Sequence, residues 1–381
     1  MKIGIDIRML GRKRTGDETV FFNLVKNLAL IDSDNEYSLF IDKRSSDEMA
    51  TIAQSLGIEE KKNFHLIALP THNKFVWNFW TLPKYLREHP VDVYHTQYIV
   101  PFFVARSIKI VTHIHDVSFR VYPEYIGWKD RFFLNVLIPR SLRRADKIIA
   151  VSAFTKQEIV KYYPTEERKT VVVPNALSDD FLNYEKSSPE RIAMVRQKYS
   201  LPSTFILYVG TLQPRKNIPA LIRAFSLIQE KLLDTSLVIV GNKQGHHYDR
   251  GIDTAIEEEN LQERVVFSGF VCQDELAVIM QEAKMFVFPS LYEGFGLPVL
   301  EAMSQRVPIV ASDIAPLREV GGEAAMFADT RNLVKFSEIL YTISTVAESR
   351  TELVSAGIKQ IEHFSWRVSA GSLRDVYQSL V

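Results

Sequence analysis

Cysteine is nearly absent. Cys272 is the only one in 381 residues, so neither an internal disulfide nor a cysteine metal cluster can form, and a reducing compartment is the natural home. Neither charge dominates: Lys plus Arg and Asp plus Glu number 46 each, which argues against a globally basic nucleic-acid binder and against a polyanionic tail protein. Long apolar runs are missing too. KIIAVSAF and MFVFPSLY fall far short of the roughly 20 residues a membrane-spanning helix needs, and MKIGIDIRML carries Lys2, Asp6 and Arg8 where a secretory leader would be apolar. No strand-like run precedes a Gly-x-Gly-x-x-Gly turn, which excludes a Rossmann dehydrogenase. The expectation is a soluble, cytoplasmic protein with no nucleic-acid partner.

What is present is enough apolar chain, 46% of residues with 11% aromatic, to fill two large cores. Short β-branched runs alternate with helical patterns, from KIGIDIRM and FFNLVKNLALI through YSLFID, FHLIAL, VDVYHT, IKIVTHIHD and KIIAVS to KTVVVP. This alternation predicts an α/β class with a parallel sheet and crossover helices. The polar stretch LSDDFLNYEKSSPE then interrupts the pattern and marks a junction. A second series follows in TFILYVG, TSLVIVG, RVVFSGF, MFVFPS, VPIVASD and AAMFAD, predicting a second doubly wound domain. The expected divisions are residues 1–185, residues 190–362 and a closing amphipathic helix in 363–381, where Trp366, Leu373, Val376, Tyr377 and Leu380 share a helical face.

The densest chemistry lies in PSLYEGFGLPVLEAMSQRVPIVAS. A strand ends at Pro289, a loop carries Gly294 and Gly296, and Pro298 suits a first helical turn because its missing N–H would be unpaired there anyway. Small residues before a helix N-terminus make an anion site. Glu293 stands in that loop and Glu301 is expected in the first helical turn. Two carboxylates facing one anion pocket repel unless each accepts hydrogen bonds from hydroxyl groups, and sugar hydroxyls meet that need. The string Glu293-Gly294-Phe295-Gly296-Leu297-Pro298, followed by Leu300-Glu301-Ala302, is similar to the Glu-x7-Glu signature of the group 1 glycosyltransferases, retaining sugar-nucleotide enzymes of the GT-B fold.

Other segments extend the resemblance over nearly the whole chain. In VGTLQPRKNIPALIRAF, Arg215 and Lys216 follow a strand that ends at Gly210, where ligands of open α/β sheets bind. Alone, two cations in a loop read as a solvated surface; in the family this pair resembles the diphosphate clamp, Arg as a planar fork and Lys as a point charge. Many members carry Arg directly after the glycine, where this chain has Thr211, so Arg215 is expected to supply that contact. The strand end at Gly241 resembles the family's small-residue turn beneath the donor, and the backbone around Phe270 and Val271 its nucleotide-base contact.

In the first half, VTHIHDVSFRVYPEY runs a strand into His115-Asp116, matching the family's histidine–aspartate pair; His115 is expected at the donor sugar and His113 in packing. GRKRTGDETV resembles the loop near phosphates and acceptor, reduced here to Gly11 and Gly16, with Gly16 and Asp17 as acceptor-side residues and Arg12, Lys13 and Arg14 as added charge. Two stretches bear on membranes: Trp77, Phe79 and Trp80 cluster, and residues 101–161 hold 11 Lys or Arg against 5 Asp or Glu. An aromatic and basic surface can meet an anionic bilayer.

The resemblance implies transfer of a sugar from a nucleoside diphosphate to a saccharide or lipid-linked saccharide, in a cleft between two domains and with retention. The first domain would take the acceptor and the second the donor, with the last helix crossing back to the first. Arg215, Lys216 and the amides near Gly294 and Gly296 would hold the leaving diphosphate, Glu293 the sugar hydroxyls and Glu301 the ribose. No metal and no cofactor is expected, and GDP-mannose is favoured as donor over UDP-glucose. Two alternatives stand beside this: a sugar-nucleotide epimerase of the same fold, and a non-catalytic nucleotide-sugar binding module. The intact set of Glu293, Glu301, Arg215 and Lys216 speaks against the module.

Overall fold

The computed structural model describes residues 1–11, 16–42, 44–182, 185–245 and 247–381; Arg12, Lys13 and Arg14 lie outside the described residues. The chain forms two compact units. The first holds Met1–Arg120, Gly127–Ala176 and Ser365–Val381, the second Val121–Ile126 and Leu177–Phe364.

The first unit is built on seven parallel strands, β1 (Lys2–Asp6), β2 (Glu36–Asp42), β3 (Phe64–Leu69), β4 (Val93–Gln97), β5 (Lys109–Ile114), β6 (Lys147–Ala150) and β7 (Thr170–Val172), in the order β3-β2-β1-β4-β5-β6-β7. Central strands covered on both faces must be apolar throughout, and Ile3, Ile5, Ile110, Val111, Ile148 and Ile149 are all buried. The order reverses between β1 and β4, so the carboxyl ends of β1, β4 and β5 border a switch point where ligands of such sheets bind. The helix Gly16–Ile31 buries Val20, Phe21, Leu24 and Leu28 and begins with Asp17 and Glu18, as the helix dipole favours. Against it packs the last helix, Trp366–Gln378, through the face that buries Leu373, Val376 and Tyr377. Ser369 Oγ donates to the Pro174 carbonyl at 2.6 Å, pinning that helix to the end of the first unit.

In the second unit six parallel strands, β8 (Thr204–Val209), β9 (Thr235–Val240), β10 (Val265–Gly269), β11 (Met285–Phe288), β12 (Ile309–Ser312) and β13 (Ala325–Ala328), run in the order β10-β9-β8-β11-β12-β13. Its switch point lies between β8 and β11. Two segments differ from the sequence reading. Leu177 and Phe181, taken there as part of a polar linker, are both buried and belong to the second unit, Phe181 on one turn of helix at Asp179–Leu182. Val121–Ile126 also belongs to the second unit, where Tyr122 meets Tyr292 edge-on at 6.0 Å.

Trp77 is a correction as well. It lies in a π-turn, Trp77–Thr81, that carries its side chain wholly into the core, where the indole Nε1 donates to Asp6 Oδ2 at 3.2 Å. A buried indole needs such an acceptor, and Asp6 on β1 supplies it, so Trp77 cannot enter a membrane. Trp80 remains 69% exposed. No helix among the described residues is long and apolar enough to cross a bilayer.

Candidate active site

Two loops at the β8/β11 switch point carry the chemistry of the second unit. β8 is followed by Gly210 at φ +155, and the Tyr208 hydroxyl donates to the Thr211 carbonyl at 2.9 Å, fixing the turn just after the strand. β9 is followed by Gly241, whose added Cβ would sit 2.4 Å from the Gly210 carbonyl oxygen and 2.7 Å from Leu212. Only glycine lets the two strand ends approach so closely. Gly241→Ala is expected to push the Gly210–Leu212 turn outward, costing about 1–3 kcal/mol of stability through overpacking. An unchanged melting midpoint would show that the turn has slack.

After the turn, Pro214–Lys216 forms one 3-10 turn, Asn217 takes the left-handed conformation at φ +55, and the helix Ile218–Ser226 begins. This short stop presents Arg215 and Lys216 towards β11. The Leu291 N–H donates to the Arg215 carbonyl at 2.8 Å and joins the two loops. Arg215 Nη1 reaches the Tyr292 carbonyl at 3.2 Å and Glu293 Oε2 at 3.4 Å, while Lys216 Nζ donates to Glu293 Oε1. Lys216 is itself buried, with its ammonium 5.1 Å from the Phe288 ring centre. Burial alone would raise the Glu293 carboxyl, but the charges of Lys216 and Arg215, with the hydrogen bond from Lys216, hold it below the ordinary carboxylate range. Glu293 is therefore an ionised, buried anchor for two cations.

Beyond Glu293 the loop passes through the buried Gly294 and Phe295 to Gly296 at φ +111, the cap of the helix Leu297–Ser304. A Cβ at Gly296 would also strike Leu317 at 2.7 Å, a second reason for glycine there. Because the helix starts at Leu297, Glu301 falls in its second turn, one turn later than expected from the sequence. Among the described residues it has no cationic partner of the kind Glu293 has, and burial pushes its carboxyl up to about 7. The two glutamates thus sit eight residues apart in opposite electrostatic settings. At the end of β10, Gly269 turns at φ +75, Phe270 is 73% exposed and Val271 is buried, leaving the Phe270 ring unpacked.

The first unit gathers its own polar groups at the ends of β4 and β5. His115 Nε2 lies 3.3 Å from Gln97 Oε1 and 3.9 Å from Asp17 Oδ1, at the start of the first helix. Gly16, one residue earlier, has open space around its Cα. Asp116 points elsewhere, its Oδ1 accepting from the Ser118 backbone and hydroxyl at 2.9 and 2.7 Å. Behind His115 the imidazoles of His113 and His95 continue in a stacked row at 4.8 and 5.6 Å, and His95 Nδ1 meets the Tyr377 hydroxyl at 2.7 Å. Burial drives His95 down to about 3 and lowers His113 as well, so both rings are neutral.

This arrangement has counterparts among known proteins. Residues 194–360 match the family described as glycosyl transferases group 1, and residues 15–181 match glycosyltransferase family 4. The O-antigen chain mannosyltransferase B of Escherichia coli is 30% identical over 377 residues, covering 96% of each chain. The chain belongs to the group 1 glycosyltransferases. A serotype-specific mannosyltransferase WbdA of Escherichia coli is 34% identical over 241 residues, which are 63% of this chain and 29% of that one. Among solved structures, a glycosyltransferase from Rickettsia africae aligns with a TM-score of 0.74 at 17% identity, covering 100% of this chain and 98% of that one. Anabaena HepE, solved with UDP and glucose, aligns at 0.73 and 17% over 100% of both. At that identity the likeness concerns the fold, which is GT-B.

In this glycosyltransferase the structure brings Arg215, Lys216, Glu293 and the Gly294–Leu297 loop together, and separately gathers Asp17, Gln97 and His115. Sequence reasoning passed over His95, in the middle of β4, and Gln97, which ends that strand in register with His113 on β5. It also passed over Asp32-Ser33-Asp34, the chain's one Asp-x-Asp spacing. Asp32 is a structural hub: its carboxylate accepts from the backbone of Asp34 and Asn35, the Asn35 amide and the Tyr37 hydroxyl. Among the described residues no group of three or more His, Cys, Asp or Glu is placed to hold a metal ion.

Proposed function

We propose that this glycosyltransferase is a retaining mannosyltransferase that uses GDP-mannose and extends a lipid-linked saccharide in O-antigen-type polysaccharide assembly, working in peripheral contact with the cytoplasmic face of a membrane. The observation that carries the reading is the buried Glu293 holding Lys216 and Arg215 at the β8/β11 switch point, in a chain similar over its length to a protein named as an O-antigen mannosyltransferase. As the bond from the sugar's anomeric carbon to the diphosphate breaks, negative charge grows on the leaving phosphate. Two prepositioned cations and the amides at the start of the Leu297–Ser304 helix stabilise that charge without rearrangement. Glu293 keeps both cations ordered and accepts from sugar hydroxyls, and Glu301 accepts from the ribose. His115, steadied by Gln97 and the stacked His113, contacts the donor sugar, and the leaving phosphate takes the acceptor's proton on the same face. The base is met by backbone near Phe270 and Val271, and the acceptor lies on the side of Gly16 and Asp17.

The test is incubation with GDP-mannose, UDP-glucose and related donors in the presence of mannose-terminated oligosaccharides, following nucleoside diphosphate release and the anomeric configuration of the product by NMR. GDP release with an α-linked mannosyl product is expected, undiminished by EDTA because Arg215 and Lys216 neutralise the diphosphate. A β-linked product would overturn retention, restoration by Mg²⁺ after EDTA would overturn metal independence, and a response confined to UDP-sugars would replace the donor. Conversion of the sugar nucleotide with the acceptor untouched would favour the epimerase.

A further inference from the structure

The first unit displays an apolar surface that its own core does not use. On the helix Trp128–Arg144, Trp128, Phe132 and Val136 recur at every fourth residue and are 77%, 63% and 52% exposed. A helix ordinarily turns such a stripe inward. Phe132 continues to Phe133 at 5.9 Å, and Phe133 meets the exposed Phe75 edge-on at 5.7 Å. Opposite, Phe79 stacks on Phe102 at 4.1 Å, and Phe102 leads to the exposed Phe103 at 6.3 Å. Between the two aromatic walls opens a cavity of about 140 Å³, floored by Ile99, Leu134 and Leu137 and bordered by the polar Lys74, Asn78 and Asp130.

Cations border this surface. Lys74 is exposed beside Phe75, Arg131 is exposed next to Phe132, and the Arg140 guanidinium lies 3.6 Å from the Phe102 ring centre. Exposed aromatic rings beside a basic rim match the two layers of a bilayer interface, hydrocarbon and anionic phosphate. A second copy of the chain is a poorer occupant, since a twofold contact would bury Lys74 and Arg131 of both copies in one interface, whereas lipid phosphates pair with them.

We propose that this face is the membrane-docking surface of the protein: Trp128, Phe132 and Val136 enter the lipid interface, Lys74 and Arg131 meet lipid phosphates, and the cavity between Phe75 and Phe102 takes one hydrocarbon chain. The assignment rests on the reading above only in that a lipid-linked acceptor gives the enzyme a reason to dock. Lipid binding itself does not depend on transfer.

The experiment is flotation of the full chain with vesicles of phosphatidylglycerol or of phosphatidylcholine at low and high salt. The variants are Trp128→Ser/Phe132→Ser and Lys74→Glu/Arg131→Glu, each checked for an unchanged melting midpoint. Wild type is expected to bind the anionic vesicles and to be released by salt as screening shortens the reach of the charges. Each double variant should bind at least tenfold more weakly. Mannosyl transfer to a water-soluble acceptor should be unchanged in the variants while transfer to a vesicle-embedded acceptor falls. Equal binding by wild type and the aromatic variant, or no binding by wild type, overturns the surface. So does a wild-type dimer in sedimentation that the aromatic variant dissolves, which would give the face to a second copy. Vesicle binding without transfer to either acceptor would leave the surface standing and remove the proposed function.

Discussion

Alanine at Lys216 is expected to destabilise the protein by about 3–5 kcal/mol, because it leaves the buried Glu293 carboxylate without its nearest cation. The same change should weaken nucleoside diphosphate binding about ten- to a hundredfold, the worth of a lost charge-assisted hydrogen bond. From the sequence alone, loss of binding without loss of stability would be expected; the buried pair changes that expectation. Denaturant unfolding and calorimetric titration with diphosphate separate the two effects. Lys216→Met combined with Glu293→Gln removes both charges and should regain most of the stability while turnover stays lost. If stability does not return, the pair is not its source, and wild-type diphosphate affinity in Lys216→Ala would end the clamp. The pH dependence follows from the same geometry. Glu293 is held low in the folded state, so the pair's contribution is fully present above the ordinary carboxylate range and is lost as pH falls through the folded value.

The second large effect belongs to Glu301 and has the opposite sign. Its carboxyl is pushed up to about 7 by burial, so at pH 6 the folded protein holds a proton there that the unfolded chain has released. Its contribution to stability therefore declines as pH rises from the ordinary carboxylate range to about 7. In the proposed role ribose hydroxyls would donate to the ionised form, so sugar-nucleotide affinity should rise with pH through this value, and binding near pH 6 should release close to one proton. Calorimetry in two buffers of different ionisation enthalpy measures that proton. Glu301→Gln should bind more weakly, with affinity independent of pH between about 5.5 and 8 and no proton released. A variant with the wild-type pH profile would detach Glu301 from the ribose.

Much of the frame was legible in the chain. Alternating β-branched runs and amphipathic stretches announced two parallel-sheet units, since strand and helix periods are properties of neighbouring residues. The loop Glu293–Leu297 was legible for a similar reason: glycine, proline and carboxylate act on their own backbone within a few positions. The aromatic residues were less so. Trp77 and Trp128 are equally apolar in sequence, yet one is buried on Asp6 and the other stands in solvent.

The sequence by itself determined the class of fold and the family, and it singled out the loops that carry Arg215, Lys216 and Glu293, because each is written in short-range pattern. The tertiary structure alone decided that Lys216 and Arg215 share Glu293 across 77 and 78 residues, that Glu301 has no such partner among the described residues, and that Tyr377 ends a row of imidazoles reaching His115. Those pairings depend on which strands become neighbours. The order β8-β11 sets two loops distant in the chain side by side, and the charge of a buried group depends on what that order places around it.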